Sequence, residues 1–126
     1  MNKKIKEEWG FSLIEVLIAV VFLAIGVLAI AGLQVTSVRG NYFSNNLMQA
    51  TYVAQDRLEF LKNKPFNSPE LQANNYNDGN TTVSGIVFNR SYTVVDHANG
   101  YKTISYTITW NDGVGHHITF STVRSQ

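Results

Sequence analysis

The sequence predicts an α+β fold, a long N-terminal helix whose second half packs on a small antiparallel sheet. Three observations carry this expectation. Val16 to Leu33 is a run of 18 residues without a polar side chain. Leu47, Thr51, Ala54, Leu58 and Leu61 recur at spacings of three and four, which marks one face of a helix. Ile104, Tyr106, Ile108 and Trp110 alternate with Thr103, Ser105, Thr107 and Thr109, as a half-buried strand does.

The elements follow in chain order. A basic stretch covers 1–10, an apolar helix 11–33, an amphipathic helix 34–64, and a loop with a sheet 65–126. Phe11 to Leu33 as a helix spans roughly 34 Å, which suits a bilayer core of about 30 Å. Lys3, Lys4 and Lys6 precede the run, and Arg39 is the next charge behind it. That asymmetry places the N-terminus in the cytoplasm. Gly40-Asn41 is the weakest point between the two helical halves, and Pro65 stops the second, with Asn63 and Lys64 as its end. Asn67 to Asn80 is rich in Asn, Pro, Ser, Asp and Gly and reads as a loop. About four strands then form a meander. Val83–Phe88 is the weakest of them, followed by segments around Tyr92–Val94, Thr103–Trp110 and Ile118–Phe120. Turns fall at Asn99-Gly100 and Asp112-Gly113. The aromatic residues are expected in the core.

Composition excludes several classes. The chain of 126 residues holds one small domain. It carries 10 basic and 9 acidic side chains and no cysteine, so no disulfide staples the fold. Without the first ten residues (3 basic, 2 acidic) the balance is 7 to 7, a neutral body that does not suit nucleic acid. No phosphate loop or dinucleotide fingerprint occurs. His97, His116 and His117 lack a ligand set, and strand neighbours such as His116 and His117 point to opposite faces. Asn77-Asp78-Gly79-Asn80 lacks the downstream glutamate of a calcium loop and reads as a turn. No enzyme, metal or cofactor is expected.

Glu15 is the most informative residue. A carboxylate in a membrane segment costs on the order of 3 kcal/mol. The positive end of the helix dipole returns about 0.3–1 kcal/mol of that. A cation would offset the rest. Cleavage after Gly10 creates an α-amino group on Phe11, which in an assembly can pair with Glu15 of a neighbouring subunit. Two plainer alternatives stand beside this one. Ala29-Ile30-Ala31 matches a signal-peptidase site, although the apolar run is about twice the usual length. A simple single-pass anchor explains the length and the lysines, with Glu15 reaching the headgroups.

Gly10-Phe11-Ser12-Leu13-Ile14-Glu15 before a long apolar helix resembles the processing and assembly motif of type IV pilins and pseudopilins. The resemblance implies a pilin-like fold and a leader peptide over 1–10. It implies cleavage between Gly10 and Phe11 by a prepilin peptidase and N-methylation of Phe11. It assigns subunit registration to Glu15. The helix over 11–33 is then both membrane span and assembly helix. The head lies in the periplasm before assembly and on the cell surface in the pilus. Val16–Val20, Leu28–Gln34 and Ala54–Glu59 resemble the PilV-like minor pilins. Major pilins often have proline where this chain has Gly32. Gly26 and Gly32 are expected to permit bending, or alternatively close helix packing. By resemblance the partners are other pilins and minor pilins, met through the helix. A pseudopilin of a type II secretion system, and a membrane-anchored binding protein that never polymerises, are the alternatives.

Overall fold

The computed structural model describes residues 10–126. Except for Gly10, the expected leader lies outside the described residues. The order is a helix α1 (Leu13–Lys62), a short 3-10 turn (Pro69–Leu71) and four strands, β1 (Asn74–Val83), β2 (Ile86–His97), β3 (Tyr101–Asn111) and β4 (Gly115–Ser125). The strands form one antiparallel sheet in the order β1-β2-β3-β4. The expected α+β architecture is the observed one. By its contacts the chain divides into one unit ending at Asn41 and a second, Tyr42–Gln126. The helix is unbroken through Gly40 and Asn41. Asn63 N–H donates to the Glu59 carbonyl and Lys64 N–H to that of Leu61, so the helix closes just before Pro65 as expected.

In the second unit, Ala50, Ala54 and Leu61 of the helix are buried against Phe88, Tyr92, Val94, Ile104, Tyr106, Ile108 and Trp110 of the sheet. β3 is one of the two central strands. Its even residues Lys102 to Trp110 are all buried, and its odd residues face outward. On that outer face, Ser105–Ser121 and Thr107–Thr119 pair through hydroxyls, each at 2.8 Å. The buried helix stripe is centred on Asn46, Ala50 and Ala54, not on the larger Leu47 and Leu58, which are only partly buried. Small alanines allow close approach to the aromatic sheet face, and the leucines flank that contact.

Three local expectations are corrected. Asn67–Asn80 is not all loop, because β1 begins at Asn74. Its asparagines favour turns in isolation, but as an edge strand it gains ladder pairing from Asn74↔Val94 to Val83↔Ile86. Val83–Phe88 is not one strand either. Ser84 (φ 51°) and Gly85 (φ 82°) form a two-residue hairpin turn, with Val83 ending β1 and Ile86 starting β2. Positive φ at both central residues matches the right-handed twist of the flanking strands. β2 then takes in Ile86–Phe88 of the first segment expected before Asn99-Gly100 and the whole of the second. The turns at Asn99-Gly100 and Asp112-Gly113 are found, with Gly100 at φ 79° and Gly113 at φ 109°.

Asn77-Asp78-Gly79-Asn80 is a bulge inside β1 and not a free turn. Asn77 pairs with Ser91 and Asn80 with Asn89, so Asp78 and Gly79 together oppose Arg90. Gly79 takes φ 75°, where a side chain is strained. The bulge aims Asp78 at the core. There it accepts two hydrogen bonds from Arg57, at 2.8 and 2.6 Å, and one from the Tyr106 hydroxyl at 2.6 Å. Helix, edge strand and central strand thus meet on one carboxylate.

Burial pulls the Asp78 carboxyl upward, but hydrogen bonds from Arg57 and Tyr106 outweigh it and hold it below its ordinary value. The hydrogen bond to Asp78 raises the Arg57 guanidinium. A carboxylate depressed on folding contributes stability above its unfolded value, and that contribution is lost as pH falls through the folded value. Asp78→Ala is therefore expected to cost about 2–3 kcal/mol at neutral pH, since it leaves a half-buried guanidinium unpaired. The difference from wild type should shrink below about pH 4. Urea melts of the full chain in detergent at several pH values measure both effects.

Candidate functional site

The candidate site is the start of α1. Ser12 caps it. Its hydroxyl accepts from Ile14 N–H at 3.2 Å, and its carbonyl accepts from the N–H groups of Glu15 and Val16. Ser12-Leu13-Ile14-Glu15 has the spacing of a capping box, serine at the cap and glutamate three residues on. Sequence reasoning missed this signal, although the residue spacing carries it. Glu15 also lies in the helix's first turn, where the dipole favours a carboxylate. Among the described residues, no hydrogen bond or ion pair reaches the Glu15 side chain within the chain.

Phe11 lies just before the helix, and both Phe11 and Glu15 line a shallow apolar groove with Val16, Ala19, Val20 and Leu23. Gly10 and Phe11 are exposed, with Phe11 at 82%. The expected site residues Gly10, Phe11 and Glu15 thus sit together at one exposed helix end.

Behind them, every residue from Phe11 to Asn45 is exposed. The helix is long and apolar enough to cross a membrane, with a mean hydropathy of 3.0 over its most apolar 18 residues and none of that stretch buried. It stays α-helical through Gly26 and Gly32. A Cβ added at either would meet nothing within 4 Å. Packing inside the chain therefore requires neither glycine. Changing each to alanine is expected to stabilise the isolated helix by about 1 kcal/mol. If a close helix neighbour uses either position, alanine there should instead weaken that association, which crosslinking in membranes reads directly.

In the head, two further clusters escaped sequence reasoning. Lys102 is buried and donates to the Phe66 and Leu71 carbonyls at 3.0 and 2.9 Å, with its ammonium over the Phe66 ring. It ties the segment after Pro65 to β3. Asn46, also buried, donates to Asp112 at 2.9 Å, and His116 Nε2 lies 3.0 Å from the other oxygen of that carboxylate. The hydrogen bond from Asn46, ahead of the pull from His116, holds the Asp112 carboxyl below its ordinary value. Polar residues on an apolar face gave no hint of partners 66 positions away in the chain. Asn46→Asp sets two carboxylates against each other and is expected to lower the melting temperature. Adding Asp112→Asn should restore it, as thermal melts of both variants would show.

The remaining histidines take structural places. His97 stacks on Tyr101 and lies 3.0 Å from the Thr103 hydroxyl, while His117 is exposed on the outer face. No cluster of three or more His, Cys, Asp or Glu side chains suited to a metal occurs among the described residues. The chain matches no known family, no curated protein and no solved structure.

Proposed function

We propose that this chain is a minor pilin of a type IV pilus, made as a prepilin and cut between Gly10 and Phe11. One observation carries the reading. Phe11 and Glu15 share a groove at the exposed end of a long apolar helix, and Glu15 has no partner within the chain among the described residues. A new amine on Phe11 of a neighbouring subunit supplies the missing cation. The helix first rests in the inner membrane with its N-terminus cytoplasmic and its head periplasmic. It then moves into a filament of like helices. Both surroundings are apolar, so the hydrophobic term nearly cancels and the amine–carboxylate pair decides registration. Methylation of Phe11 leaves the amine basic. In this reading the partners are a prepilin peptidase and other pilins, and the chain primes or caps the filament.

The capping-box spacing of Ser12 and Glu15 favours a second reading, a single-pass anchor whose head binds a partner without polymerising. There Glu15 serves only the helix start. Glu15→Gln separates the two, because glutamine also completes a capping box but cannot pair as an anion. The pilin reading expects copurification with other pilins to fall at least ~10-fold, about 1.4 kcal/mol, with the chain still inserted in the membrane. Unchanged copurification and piliation would favour the anchor.

A further inference from the structure

The two edges of the sheet differ. β1 satisfies part of its own edge. Asn75 N–H donates to Asn74 Oδ1 at 2.8 Å and Gly79 N–H to Asn77 Oδ1 at 2.9 Å, and Arg90 donates to the Asp78 carbonyl. The bulge bends the strand as well. Such devices block further pairing. β4 has none of them. It pairs only with β3, and among the described residues no loop, helix or side chain bonds its free backbone edge. From Ile118 to Val123 it carries no charge, glycine or proline.

The inward side chains of β4 also end unfinished rows. Tyr76, Tyr92, Tyr106 and Phe120 are in register across all four strands. The tyrosine rings stack at 4.6 and 6.0 Å. The row stops at Phe120, which is only half-buried. In a second row, Asp96, Lys102 and Arg124 lie side by side. Arg124 closes it as a cation beside a cation. Its guanidinium donates to the Lys64 carbonyl at 3.5 Å, and among the described residues no ion pair reaches it. Nearby, a groove between helix and β4 is lined by Gln55, Leu58, Glu59, Lys62, Asn63 and Thr122.

We propose that β4 is a docking edge for an extended strand of a different protein, running antiparallel to it. That strand carries an acidic residue opposite Arg124 and an aromatic residue opposite Phe120. Charge and register select it. Backbone pairing supplies the affinity, and the inward side chains supply the choice. A second copy does not fit. Its β4 edge carries no acidic residue to face Arg124, and its β1 edge is blocked by the bulge and by its own side chains.

The probe is an acetylated, amidated peptide, Asp-Thr-Val-Thr-Tyr-Thr-Val-Thr-Ser, added to the full chain in detergent micelles. Amide hydrogen exchange is read by NMR. The peptide is expected to slow exchange along β4 at least ~10-fold and leave β1 unchanged. Replacing its Asp by Lys, or its Tyr by Ser, should remove most of the effect without touching the protein. Arg124→Glu should reverse the preference from the Asp to the Lys peptide. Equal protection by the Asp and Lys peptides, protection on β1, or none at millimolar peptide would overturn the proposal. So would slowing of β4 exchange by protein concentration alone, which signals pairing of two copies. Each readout is independent of cleavage at Gly10, so failure here leaves the pilin reading to its own test.

Discussion

Eighteen consecutive side chains from Val16 to Leu33 contain no polar group, and the chain buries none of them. Water does not tolerate a continuous apolar surface of that size. The helix is long and apolar enough for lipid, or a bundle of similar helices, to cover it. Every other feature of the N-terminal unit is set by this constraint. Backbone groups are satisfied by the helix itself, which is the one open-ended structure a bilayer core accepts. Side-chain polarity is confined to the start, where Ser12 caps and Glu15 meets the dipole. A carboxylate survives there only because its surroundings, or a partner, meet part of its cost.

The head solves a different problem. It lacks cysteine and has a small core, so polar contacts must help fix its geometry. It uses three buried or half-buried polar hubs. Asp78 joins helix, β1 and β3. Lys102 holds the segment after Pro65, and Asp112 gathers Asn46 and His116 where the β3–β4 turn meets the helix. Tyr92 adds to this network by donating to the Glu70 carbonyl, and burial pushes its phenol up to about 12. Each hub links segments remote in sequence. A polar group that is costly when unpaired thereby specifies one arrangement of helix and sheet.

How much of this was legible in the sequence follows from the range of each interaction. Apolar periodicity is local, so the helix, β3, β4 and the turns at Gly100 and Gly113 could be read directly. Gly10, Phe11 and Glu15 could be singled out for the same reason, because the motif they form lies along one segment. β1 was not, since its residues favour turns locally and only pairing with β2 makes them a strand. Ser84-Gly85 was hidden because serine at positive φ is uncommon. Arg57, Asp78 and Tyr106 carry no local mark of their partnership, and neither do Asn46 and Asp112. The capping box at Ser12 was readable but stood in the shadow of the more conspicuous glutamate.

The central claim is that the exposed helix begins, in the mature protein, at Phe11 with a free or methylated amine beside Glu15. The mass of the mature N-terminus tests it most directly, measured on protein isolated from cells that make a prepilin peptidase. The account predicts a chain starting at Phe11 and heavier by one methyl group. A chain that keeps Met1, or one that starts at Gly32 after signal-peptidase cleavage, would contradict it.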